Sequence, residues 1–337
     1  MPAATLSEAV SARGPLSAWV LDRLAEPADA PVADPPKVED DPLIGDDLHL
    51  ALYLCYELHY RALPGVDDAW EWRPELLAFR AALERPFELA VRARVAGMPA
   101  VPPGPIDVRL REVLRLDDGP SLPRFLEREG TVETFREFLI HRSAYQLKEA
   151  DPHAWAIPRL TGATKVALLE IESDEFGGGD ARWMHSRLFA QAMRALGLDA
   201  TVGAYLDVLP GATLATVNLM SLFGLHRRWR GAIVGHLAGF EMTSCVPNRR
   251  YANGLRRLGF DDDALVYFDE HVEADAVHES IAANDLAGSL IAQEPALEDD
   301  VLFGTRALCV VEATFAQRLI GAWSAGRSSL VEPLVAV

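Results

Sequence analysis

The run FDEHVEADAVHES, residues 268–280, carries the residue types best suited to holding a metal ion. His271, Asp275 and His278 stand there at i, i+4 and i+7. At about 100° per residue they fall within roughly 60° of one another on one helix face. Two imidazoles flanking a carboxylate on one stripe can reach two ions about 3.5–4 Å apart. Donors of nitrogen and oxygen without thiolate suit iron, or manganese, rather than structural zinc. The neighbouring Glu270, Glu273 and Glu279 equally describe a solvated acidic face, so ligands supplied by other helices must decide.

Such ligands exist. Glu241 lies in the largely apolar run HLAGFEMTSC, where a carboxylate is costly without a partner, either a metal or an arginine such as Arg249 or Arg250. Glu175 and His185 straddle Gly177-Gly178-Gly179, a break that lets the end of one helix and the next helix turn toward one centre. Together these segments offer three carboxylates and three imidazoles. The chain has no Glu-x-x-His pair, which disfavours the ferritin-type carboxylate bundle.

The elements that position these residues read as helices throughout. Residues 1–45 are rich in Ala, Pro and Asp and predict a mobile arm or loosely packed lead-in. From Asp46 an apolar helical pattern begins, followed by a second segment over 75–95 broken at Pro86 and a proline-rich connector near 98–108. Residues 46–125 are taken as an accessory helical region with a possible role in dimerisation, and 126–337 as the unit that carries the site. Within it Thr131 caps a helix, Asp180 caps another that Gly197 stops, and further helices fit 213–225, 229–245, 248–258, 262–284 and 295–323. No alternating strand, fixed-period repeat, GxGxxG or Walker loop occurs. The class is all-α.

The segments DEFGGGDARWMHSRLFAQAMRALGLD, GHLAGFEMTS and FDEHVEADAVH together resemble the haem-oxygenase-like diiron oxidases, the iron-containing redox enzyme family, over roughly 130–285. The resemblance implies a haem-oxygenase-like helical bundle without haem. It places Glu175, His185 and His271 on one iron and Glu241, Asp275 and His278 on the other. Some members add a further carboxylate on the preceding helix, and Glu149 matches that position; alone it reads equally as a surface acid before Asp151-Pro152. Members with the extra acid include N-oxygenases of amino-acid side chains. The expected function is therefore an O2-dependent diiron N-oxygenase of a lysine-like or arginine-like amino acid or derivative, in specialised-metabolite biosynthesis. Its cofactors would be two Fe(II)/Fe(III) ions with O2 as co-substrate. Electrons would come from an external donor or reductase, because no flavin or nicotinamide fingerprint is present. The alternative is C–C cleavage, desaturation or decarboxylation of an amino acid or fatty acid by the same irons.

Composition narrows the partners. Fifty acidic residues against 32 basic give a formal charge of −18, which repels nucleic acid and anionic membranes. No apolar stretch is long enough to span a bilayer, and the first residues lack a signal-peptide pattern. Cys55, Cys245 and Cys309 form no CxxC pair, which with the missing signal points to the cytoplasm. Asp261-Asp262-Asp263 with Asp269-Glu270 mimics the magnesium site of a terpene cyclase but lacks its downstream partner motif. A non-catalytic helical scaffold is the remaining class. Glu137 with His141, the group His49, Glu57 and His59, and His226 with His236 are further polar residues outside the family pattern.

Overall fold

The computed structural model describes residues 10–333, except the side chains of Asp275 and Ala276. Among the described residues there is no strand; the chain folds as a helical bundle. Its framework is α1 (Pro15–Leu24), α2 (Asp46–Glu57), α3 (Pro74–Ala96), α4 (Ile106–Arg115), α5 (Leu122–Glu129) and α6 (Val132–Gln146). There follow α7 (Asp151–Ala154), α8 (Gly162–Glu175), α9 (His185–Ala195), α10 (Gly211–Leu225) and α11 (Arg230–Met242). The last are α12 (Cys245–Arg257), α13 (Asp262–Ser280), α14 (Ser289–Gln293) and α15 (Glu298–Ser324).

The most extensive helix pairing joins α11 to α15. Gly235 and Gly304 permit it: a Cβ on Gly235 would overlap the Val301 carbonyl, and one on Gly304 the Ala232 carbonyl. Helix α10 is buried on nearly every face and packs against α2, α15 and α11. Helix α13, which carries the His271–His278 stripe, lies against α9, α12 and α11, and continues into a π-helical turn over Ile281–Gly288. That turn packs on α8 and α11, which carry Glu175 and Glu241, while the helix that begins at His185 packs on α13 itself.

Two expectations from the sequence change. The lead-in is not loose where it is described: α1 buries Leu16, Trp19, Val20 and Leu24 against α2. Its first turn is capped from outside, because Asp47 accepts hydrogen bonds from the Leu16 and Ser17 amides at 2.9 and 2.7 Å. Alanine-rich and proline-rich composition hid a four-residue apolar stripe whose cap lies thirty positions away. Pro86 likewise does not break its helix, and α3 runs through it. Phe79, Leu83, Phe87 and Val91 recur along one stripe of α3 and are all buried. Burying them contributes roughly 1.5–3 kcal/mol each, against about 3 kcal/mol lost at an interior proline. Buried residues on both sides of position 125 join one hydrophobic cluster.

Candidate metal centre

Glu175 closes α8 and His185 opens α9. Between them Gly177, Gly178 and Gly179 take φ values of 82°, 58° and 93°, a left-handed succession that side chains with a Cβ resist. Asp180, expected to cap α9, instead caps the short 3-10 turn Ala181–Trp183 by accepting from the Arg182 amide. The α-helix therefore starts at His185, whose ring points back at Glu175. His185 Nδ1 lies 2.8 Å from Glu175 Oε2 yet makes no hydrogen bond among the described residues, because the oxygen sits off the line that a ring N–H needs. A ring nitrogen and a carboxylate oxygen this close can both be offered to one cation.

Around this pair the bundle gathers two groups of buried side chains whose donor atoms lie within 4.8 Å of one another. The first holds Glu149, Glu175, His185 and His271; the second holds Glu175, Glu241 and His278. Glu175 belongs to both. Six of the seven residues expected from the sequence are thereby brought together. The seventh, Asp275, lies on α13 between His271 and His278, and its side chain is outside the described residues.

Hydrogen bonds fix which nitrogen each ring presents. His271 Nδ1 donates to the Tyr267 carbonyl at 2.7 Å, and a carbonyl can only accept, so Nε2 is turned to the site, 3.6 Å from Glu149 Oε1. His278 Nε2 donates to Asp174 Oδ2 at 3.0 Å, which turns Nδ1 toward Glu241 Oε2 at 3.4 Å and Glu175 Oε1 at 4.0 Å. An imidazole oriented by a carboxylate on its far side is the usual support of a metal-ligating histidine. Glu149 accepts from the Tyr267 hydroxyl at 2.9 and 3.0 Å.

Burial alone would neutralise these carboxylates. Instead, His185, His271 and His278 overcome the burial of Glu175 and hold its carboxyl well below the usual range. Burial likewise disfavours a charged His278, but Glu241, Asp174 and Glu175 outweigh it and raise its pKa to about 9. The arginines that might have neutralised Glu241 are engaged elsewhere: Arg250 pairs with Glu127 at 3.2 Å and Arg249 reaches Cys245 Sγ. The carboxylates Glu149, Glu175 and Glu241 thus face imidazoles, with no Lys or Arg in their described ion pairs. Buried anions so arranged fit divalent cations.

A family described as "iron-containing redox enzyme" matches residues 136–313, more than half of the sequence and a range that contains every candidate ligand. The chain belongs to the iron-containing redox enzyme family. Membership makes it an oxidoreductase. It is also 26% identical over 157 residues to the nitrosourea synthase of Streptomyces achromogenes subsp. streptozoticus, which covers 46% of this chain and 33% of that protein. The chain thus matches about a third of the length of this relative.

Two acids beside the candidate ligands escaped the sequence reading. Asp174, beside Glu175, supports His278; Glu172, one turn earlier, is buried with Oε2 unpartnered among the described residues. Burial, and then Glu175, Glu241 and Asp151, push the Glu172 carboxyl up to about 9, so it is an acid rather than a ligand anion at neutral pH. The run EIESDEF offers four acids, and only the packing tells them apart.

The other polar residues have structural roles. Glu137 accepts from Trp323 Nε1 and Ser329, and His141 bridges Thr213 and Ser329. His49 bonds to Asn218 and the Pro42 carbonyl, His59 and Glu71 pair, and His226 meets Glu84. Asp261, Asp262 and Asp263 are exposed at the start of α13. Among the described residues no helix is long and apolar enough to cross a membrane.

Two predictions arise here. Asp174→Ala is expected to weaken iron binding by about 10- to 100-fold, the cost of losing a ligand's outer partner. Its side chain is 57% exposed, so the melting temperature of metal-free protein should fall only slightly, by the lost support of a charged His278. Metal titration alongside thermal unfolding checks both. The metal-free protein should also lose stability as pH rises from about 6.5 to 9. The folded pKa of His278 lies above its ordinary 6.5 and that of Glu172 above 4.5, so both contribute less as pH climbs toward about 9. Below 6.5 the sign reverses: burial lowers His153 and His236, so acid must charge a buried pair. Melting in chelator across this range should show a maximum near pH 6.5; a flat profile would refute the assignment.

Proposed function

We propose that this oxidoreductase is a non-haem diiron oxygenase that oxidises an amine nitrogen of an amino acid or derivative. The observation that carries the reading is Glu175 standing in both buried ligand groups, the arrangement two neighbouring ions require. Glu149, Glu175, His185 and His271 would hold one ion, and Glu175, Glu241 and His278, with Asp275, the other. Bound iron supplies the electron transfer to O2 that no side chain can provide.

The protein's own part is positioning. A cavity of about 330 Å³ reaches Glu149 and His271 and is walled by Phe138, Phe189, Phe240 and Phe268. It is large enough for a small organic substrate, with aromatic rings on several sides and polar groups between them to orient it. Arg142 in its wall is neutralised by a bidentate bond to Glu312 at 2.8 and 2.7 Å, which leaves Asp117 to favour a cationic or neutral amine over an acid. Support for nitrogen as the target comes from Glu149, the extra acid that the resemblance associates with N-oxygenases. The relative whose name makes its product a nitrosourea, a compound with an N–O bond, points the same way. Electrons would enter from an external donor.

The test is anaerobic loading with Fe(II), followed by O2 uptake against a panel of amino acids. Two irons per chain and a product with oxygen bonded to nitrogen are expected. One iron or fewer per chain would remove the diiron reading, and an alkene or shortened carbon chain would replace nitrogen by carbon as the target.

A further inference from the structure

Lys148 and Glu149 are adjacent, oppositely charged and both buried, 1% and 5% exposed, and they point to opposite sides of the turn after α6. Glu149 faces Tyr267 and His271. Lys148 faces α2: its ammonium bonds to Glu57 and lies 5.0 and 4.4 Å from the ring centres of Tyr53 and Tyr60. Arg61 pairs with Asp151 at 3.3 Å, and Tyr60 packs on Trp155 and bonds to Ser221 at 3.0 Å. The segment 53–61 thus grips the turn at several points. Ala150, between Glu149 and the Arg61-paired Asp151, has φ 73°, a left-handed conformation that a non-glycine residue keeps only when its surroundings impose it.

We propose that the Lys148–Glu57 ion pair is the positioning device for Glu149, making α2 a working part of the metal centre. The inference rests on the reading of Glu149 as an iron ligand. Its physical basis is that a buried ion pair is a poor source of stability. Two desolvated charges cost about what their attraction returns, and apolar replacements of similar volume are often neutral or stabilising. What the pair adds is direction: a point of attraction flanked by two ring faces sets the rotation of the turn. The carboxylate on the opposite side of the backbone is then aimed at the site. Ligand distances in a metal site tolerate only about 0.2 Å, so a turn that packs but is not aimed cannot complete the shell.

The test compares Glu57→Leu/Lys148→Met, Glu57→Gln/Lys148→Gln and Glu149→Gln with the unaltered chain. Each is loaded with Fe(II) without O2, desalted and assayed for iron per chain, and melted in chelator. The apolar double variant is expected to melt at or above the unaltered protein yet to bind the Glu149-side iron about 10- to 100-fold more weakly, as Glu149→Gln does, while the other iron stays. If the apolar double variant keeps both irons at full affinity while Glu149→Gln loses one, the positioning role is overturned and the ligand reading stands. If Glu149→Gln itself keeps both irons, the ligand reading fails and takes this inference with it. Should the apolar double variant not fold, Glu57→Gln combined with Lys148→Gln, which keeps the shape and leaves neither charge buried alone, decides by the same criterion.

Discussion

Glu175→Ala is expected to abolish iron loading at both positions and with it all O2-dependent turnover. Among the described residues each of the other candidate ligands serves one group of donors, but Glu175 serves two. Its loss leaves His185 without the carboxylate 2.8 Å away and removes from His278 one of the anions that keep it charged in the metal-free state. The affinity for the first ion should fall by at least about 100-fold, the upper end of what a mere supporting residue costs. The metal-free protein should also lose stability, since taking one partner from buried ionic groups strands the others. Glu241→Ala gives the contrast: it belongs only to the second group, so one iron per chain should remain. If Glu175→Ala retains one tightly held iron, the two groups do not share a bridging carboxylate.

Ser244→Trp should produce the opposite pattern, with full iron and no turnover. Ser244 lines both the 330 Å³ cavity and the small pocket against Glu172, Glu175 and Glu241, so it marks where substrate space meets metal space. It is partly exposed, directly precedes α12 and already lines the cavity, so an indole there is expected to fill that space. A displacement of the reacting atom by about 1 Å can cost 100-fold, and a blocked cavity costs at least that. Two irons per chain with substrate-dependent O2 uptake reduced at least about 100-fold is the expected result. Unchanged uptake would place substrate elsewhere.

What the sequence disclosed follows from the range of the forces involved. His271 and His278 could be read because helical period alone puts them on one face, while Asp275 between them lies outside the described side chains. Glu175 and His185 could be read because three consecutive glycines mark a break that a helix cannot cross. Thr131 caps α6 as expected, in a reciprocal pair with Thr134. Asp174 was hidden because its role depends on which ring nitrogen of a residue 104 positions away turns outward. Glu57, a residue of no evident purpose on α2, meets Lys148 across 91 positions, and neither side of the pair signals the other. Pro86 misled because local preference and tertiary burial oppose each other there, and burial is the larger.

The triple-glycine turn has a kinetic consequence. Glu175 and His185 are ten positions apart in the chain, yet the turn brings them back within contact. Closing so short a span has already been settled by folding, before any ion arrives. This half of the centre is therefore a preassembled pincer, and capture there should be governed by delivery of the cation rather than by rearrangement of the polypeptide.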